Sequence, residues 1–267
     1  MSFRTQRICV WSAAVLGLGF FFGFGVFAHF IPPPNPANDA ATVARMYRDH
    51  GDGIRAGMVL CLYGLVFWLP FTAAISVQLK RIEGRHTPLS YTQLAVGAGL
   101  PPAFTIVLYF FATASFRSDR DPAIIQTLND QGWIAFTGII YGIFLQAVVI
   151  GIAVLLDSRP DPIYPRWYGY LSLWCALLYC PASLDMFFQD GLFAWNGLLA
   201  WWLSVVAFFV WIVVTMVVTL QAINRQEREE TSGAIEAEPP ALELRIAALE
   251  AELRVLRTGS SAHSGSH

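Results

Sequence analysis

Few residues in this chain have the types and spacing that chemistry needs. Asp49, His50 and Asp52 lie close together in RDHGD. Two carboxylates and an imidazole can hold a divalent metal, and a metal-dependent, membrane-embedded enzyme would use them so. With one histidine beside flexible glycines, solvated charges at a helix end are the commoner meaning. Asp185 is a second candidate. It stands four residues after Pro181, so an α-helix would place both on one face. A carboxylate within a membrane is functional by default. At the membrane surface it would pair with a cation, and Arg55, Arg117 and Arg120 are the candidates. Gln146 sits deeper in an apolar run, where it bonds a neighbouring helix or lines a polar path.

Proline adds a ligand hypothesis. Pro70, the pair Pro101–Pro102, and Pro181 interrupt three apolar runs. Each removes a donor and crowds the carbonyl four residues earlier. With Gly97 and Gly99 beside the pair, the third run is the best candidate for a broken helix. Carbonyls freed in hydrocarbon must face protein, water or a ligand. The expected ligand-binding set is therefore Gly97, Pro101, Pro102, Gln146, Pro181 and Asp185, against the plainer reading of kinked helices. Aromatic side chains could line an apolar pocket: Phe20, Phe21, Phe22, Trp68, Phe110, Phe111, Trp201, Trp202 and Trp211. Trp133, Trp167 and Trp195 are expected at the headgroup level. There is no HExxH, GxSxG, P-loop or glycine-rich dinucleotide turn. No cofactor is expected, and an enzyme is the less favoured class. Cys9, Cys61, Cys175 and Cys180 all fall in apolar runs without a CxxC pair and read as packing residues.

The elements that must position these groups are apolar. Hydrophobic residues make up 55% of the chain and charged residues only 13%, where a soluble domain carries about 25% charged. A net charge of −2 gives no field for nucleic acid. Six uncharged runs stand at 8–28, 56–79, 87–116, 131–156, 167–184 and 191–224. A helix needs about 20 residues to cross a hydrocarbon core. The expected fold is all-α: a six-helix transmembrane domain over 1–224, with short external amphipathic helices. The first run follows Arg4 and Arg7 and is long for a secretory signal, so it reads as an uncleaved span. Lysine and arginine flanks favour both termini on the cytoplasmic side, most simply of the plasma membrane.

Two external segments carry helix signals. In the first, IPPPNP is stiff, Asn38 or Asp39 caps a short helix, and Gly51 and Gly53 end it. In the second, Asp121 caps, Pro122 opens the first turn, and Gly132 lies near the end. Together they would form a lid. The inner loop DSRPDPIYPR reads as a plain connector. Gly19 with Gly23, and Gly138 with Gly142, are spaced for close helix packing, within the chain or at a subunit seam.

After Asn224 come a charged linker over 225–240, a coiled-coil helix over 241–258 and a polar tail over 259–267. Leu242, Ile246, Leu249, Leu253 and Leu256 are spaced four, three, four, three, the a/d seam of a coiled coil. Arg245 and Glu252 fall at g, Glu250 and Arg257 at e, giving opposite-sign pairs in a parallel assembly. RIAALE resembles the trimer-directing coiled-coil motif, with Arg245, Ile246, Leu249 and Glu250 in its four specified places; the resemblance implies three strands. The expected function is a homo-oligomeric, trimeric membrane protein that binds or conducts a small or lipophilic molecule. The alternatives are an accessory subunit docking on a membrane-complex partner through its tail, and the metal-dependent enzyme. Membrane lipid is the surrounding partner in each.

Overall fold

The computed structural model describes residues 2–117, 119–237 and 249–250. Among them the chain is helical without a strand. The elements are α1 (Phe3–Phe20), a π-helical turn (Phe21–Phe27), α2 (Ala40–Leu65), α3 (Trp68–Glu83), α4 (Pro88–Phe116), α5 (Pro122–Gly138), α6 (Ile140–Leu155) and α7 (Arg166–Tyr179). A 3-10 segment (Cys180–Phe187), a short 3-10 turn (Gly191–Phe193), a second π-helical turn (Leu198–Leu203) and α8 (Ser204–Ala237) follow. They form six helical stretches long and apolar enough to cross a membrane. Such surfaces cannot be hydrated cheaply, and helices satisfy their own backbone groups in lipid.

Each span joins the bundle for a local reason. The first lies on α2 through glycine. A Cβ at Gly57 would come to 2.2 Å from the Gly23 carbonyl oxygen, and one at Gly19 to 3.0 Å from the Gly64 Cα. Backbone touches backbone there, within one chain. Gly53 belongs to the same contact, since a Cβ on it would meet the Phe27 carbonyl oxygen at 2.5 Å. This corrects one expectation: Gly51 and Gly53 do not end a short helix. Helix α2 runs unbroken from Ala40 to Leu65, and its glycines serve packing. Likewise Gly132 lies inside α5, against the Phe111 ring. The two short helices expected outside the membrane are thus the first turns of spans. Asp39 caps α2 by accepting from the Thr42 amide at 2.9 Å, and Asp121 caps α5 by accepting from the Ala123 amide at 2.8 Å.

What crosses the end of the bundle where α2 and α5 begin is the proline segment. Trp195 Nε1 donates to the Pro34 carbonyl at 2.8 Å, and Gln126 Nε2 to the Asn38 carbonyl at 3.0 Å. Next to it, Phe24, Phe30, Phe111, Trp133 and Trp201 interlock, mostly edge to face, with Phe30 tilted on Trp133. Trp133 is fully buried in that cluster and Trp195 is buried under the loop, so neither presents its ring to the surrounding medium; Trp167 is exposed.

At the opposite end polar groups close the bundle. Gln78 Nε2 donates to Gln6 Oε1 at 2.8 Å, and Glu83 accepts from the Leu89 and Ser90 amides at the start of α4. The loop between α6 and α7 is more than a connector, because buried Asp157 accepts from the Ile163 amide at 2.9 Å and folds it back. Tyr164, in the loop, bonds Thr219, and Tyr168 bonds Thr215, tying the loop and α7 to α8.

The chain divides after Ile223 into two units. In the second, helix continues to Ala237, so the charged stretch after Asn224 begins as helix, with Arg225 paired to Glu229 and Gln226 to Glu230 one turn on. Of the heptad residues, Leu249 and Glu250 are helical and exposed. Leu242, Arg245, Ile246, Leu253 and Leu256 lie outside the described residues.

Candidate functional site

Helices in this bundle lose regularity around one cavity. The first π-helical turn, the break between α2 and α3, the break between α5 and α6, the 3-10 segment and the second π-helical turn all abut a single cavity of about 240 Å³. Phe21 and Phe24 come from the first irregular segment, Leu65 and Trp68 flank the second, Thr137 and Ile140 flank the third, Ala182 belongs to the fourth, and Ala200 and Trp201 to the fifth. Departures from α-helix give up regular backbone bonds and concentrate at functional positions. Only two hydroxyls are on the wall, those of Thr137 and Ser204. Both are engaged: Ser204 Oγ donates to the Leu178 carbonyl at 3.3 Å, and Thr137 Oγ1 lies 2.8 Å from the Trp133 carbonyl and bonds the Asp185 carboxylate.

Pro181 explains how Asp185 arrives there. It ends α7 at Tyr179 and starts the 3-10 segment. With three residues per turn, positions three apart are aligned, so Asp185 shares its stripe with Ala182 and not with Pro181. Both Ala182 and Asp185 are buried, while Pro181 is half-exposed. Asp185 does not pair with an arginine. Its partner is Thr137, and its second oxygen is buried without a hydrogen bond. Arg55 instead pairs with Asp52 and donates to the Ser115 carbonyl at 2.6 Å.

Pro101 and Pro102 do not break their helix. Helix α4 runs through both from Pro88 to Phe116. Pro101 is buried beside the cavity-lining Leu100, and Pro102 faces outward.

Gly97 and Gln146 do meet, at a second place. Gln146 Nε2 donates to Thr72 Oγ1 at 3.0 Å, as does Gln93 Nε2 at 2.7 Å. A Cβ at Gly97 would fall 2.1 Å from Thr72 Oγ1 and 2.9 Å from Gln146 Nε2, so glycine is what admits the cluster. Ser76 bonds Gln93 and donates to the Ser90 carbonyl at 3.1 Å. These buried groups bind α3, α4 and α6 together, and Gln146 Oε1 alone in them lacks a partner. Gln146 is thus interhelical glue rather than a cavity lining.

Four of the proposed pocket aromatics line the cavity: Phe20, Phe21, Trp68 and Trp201. Phe22, Phe110, Phe111, Trp202 and Trp211 do not. Sequence reading missed Thr137, Thr72 and Gln93. A threonine in an apolar run is uninformative alone, since it can bond its own helix.

Asp49 and His50 are exposed on α2, and His50 lies against His29, ring centroids 5.2 Å apart. Among the described residues no three His, Cys, Asp or Glu side chains converge on a metal position.

Comparison with protein families, curated proteins and solved structures finds no match.

Proposed function

We propose that this chain is an integral membrane protein that binds a small lipophilic molecule in the cavity between its spans. The observation that carries this reading is the coincidence of five irregular backbone segments on one apolar void of about 240 Å³. A dry apolar cavity of about 150 Å³ already accepts a benzene-sized molecule. Burial of apolar surface would drive binding, at about 25 cal/mol per Å². The two wall hydroxyls are bonded to protein, so selection is by shape and apolarity and works against polar solutes and ions.

Orientation and assembly belong to the same reading. Arg4, Arg7, Lys80, Arg81, Arg85, Arg159, Arg166, Arg225 and Arg228 flank the spans on the side of the termini, against Arg45, Arg48, Arg55, Arg117 and Arg120 on the other. That asymmetry supports cytoplasmic termini in a plasma membrane. The heptads after Ala241 support a parallel, trimeric assembly of this chain.

Native mass spectrometry of the protein released from nanodiscs tests both parts. A brominated alkylbenzene should give a saturable adduct of one molecule per chain on a three-chain particle. Adducts that grow linearly without saturation would remove the cavity reading. A single-chain particle at every concentration would remove the assembly.

A further inference from the structure

We infer that the cavity opens sideways into the bilayer between the first and last spans, and that its occupant is a hydrocarbon chain of a membrane lipid. This rests on the cavity reading above and goes beyond it by naming the occupant and its route. Three wall residues are also outer-surface residues: Phe21 is 57% exposed, Phe209 44% and Ile31 46%. Phe21 belongs to the first span, Phe209 to the last, and Ile31 to the loop just beyond the first. Their neighbours Leu18, Phe22, Val206 and Val213 are exposed apolar side chains of the kind lipid covers. The mouth therefore faces hydrocarbon, and no other medium touches it at that depth.

The wall chemistry fits a chain and not a headgroup. No charged residue lines the cavity, and both hydroxyls are occupied by protein acceptors. A headgroup drawn inside would lose its water without replacement. A methylene chain loses nothing, and the headgroup stays at the Ile31 end.

Gly17 makes the mouth addressable. It lines the cavity, and a Cβ built on it meets nothing within 4 Å. A bulky side chain there can occupy the opening without displacing backbone. Leu18 is its neighbour on the outer surface and does not line the cavity. The test reconstitutes the full chain in liposomes containing a phosphatidylcholine with a diazirine along one acyl chain. After photolysis, adducts are mapped by mass spectrometry. Wild type should carry adducts on the buried wall residues Phe24 and Trp201 as well as on outer Val206 and Val213. Gly17→Trp should lower the Phe24 and Trp201 adducts about tenfold and leave the outer ones in place. Leu18→Trp, which places the same side chain one residue away on the outer surface, should leave all four. Adducts confined to Val206 and Val213 in wild type would overturn the lipid occupant, as would equal inner labelling in Gly17→Trp and Leu18→Trp. If the bromo-alkylbenzene adduct nevertheless saturates, the cavity reading stands and only this inference fails. Loss of both results ends both.

Discussion

Thr137 and Asp185, 48 residues apart, meet where two interrupted helices face each other, the threonine hydroxyl bonding one carboxylate oxygen while the other oxygen is buried alone. Two irregularities cooperate to make this pair. Thr137 precedes the break at Ile139, and Asp185 is turned inward by the 3-10 segment that Pro181 begins. Removing the hydroxyl would strand both carboxylate oxygens. Thr137→Val should lower stability by about 1–3 kcal/mol, and Thr137→Ser should restore most of it. Asp185→Asn keeps an acceptor for Thr137 at the same size, so it should match wild type. Thermal unfolding in detergent reads all three, and an unshifted Tm in Thr137→Val would remove the pair from the account of stability.

The seam between the first span and α2 predicts a position-specific response. At Gly57 a methyl must displace the Gly23 backbone, not a flexible side chain. Gly57→Ala should cost about 1–3 kcal/mol through overpacking. Gly99→Ala should be neutral, because nothing lies within 4 Å of its Cβ. Chemical-denaturant midpoints in detergent would separate them, and equal midpoints would mean that helix propensity rather than contact sets the effect.

Span number was legible because six uncharged runs allow no other low-energy state. Which proline breaks a helix was not. Pro101–Pro102 looked strongest yet lie in continuous α4, while Pro181 ends α7. A lone proline's cost depends on what else can bond the freed groups, and that is tertiary. The π-helical turn Phe21–Phe27 contains no proline, and no local signal distinguishes it from α-helix. Gly51 and Gly53 misled for the same reason: a glycine required by a neighbouring backbone looks like one that ends a helix. Asp185 was recognisable as a functional candidate from its type and depth. Its partner was not, because Thr137 becomes informative only when two spans are placed side by side.

Acid should loosen the N-terminal end of α2. The Thr42 side chain and amide, hydrogen-bonded to Asp39, hold its carboxyl below the usual carboxylate range. A group with a depressed folded-state pKa contributes stability above its unfolded value and loses it as pH falls through the folded value. The contribution is therefore complete at neutral pH and fades below about pH 4. Amide exchange over the first turn of α2 should accelerate there. Asp39→Asn retains a cap without a titrating group, so its exchange should stay flat across the same range. A wild-type profile as flat as that of Asp39→Asn would show that the cap does not depend on charge.

Two tryptophans give the last contrast. Trp68 Nε1 is buried with no acceptor, though its ring stacks on Phe208 at 6.0 Å between centroids. Its folded-state value therefore lies in the ring, and the N–H only carries a desolvation cost. Trp211 is as deeply buried, but its Nε1 donates to Ser172 Oγ at 3.2 Å and joins the last span to α7. Trp68→Phe removes an unsatisfied donor and some ring area, two effects of opposite sign, so the net change should be small. Trp211→Phe loses a hydrogen bond as well as area, and leaves the Ser172 hydroxyl short of a partner. It should be the more destabilising by about 1 kcal/mol. Paired thermal melts measure the difference. The reverse order would mean that the Trp68 ring contributes more than the Trp211 ring and its hydrogen bond together.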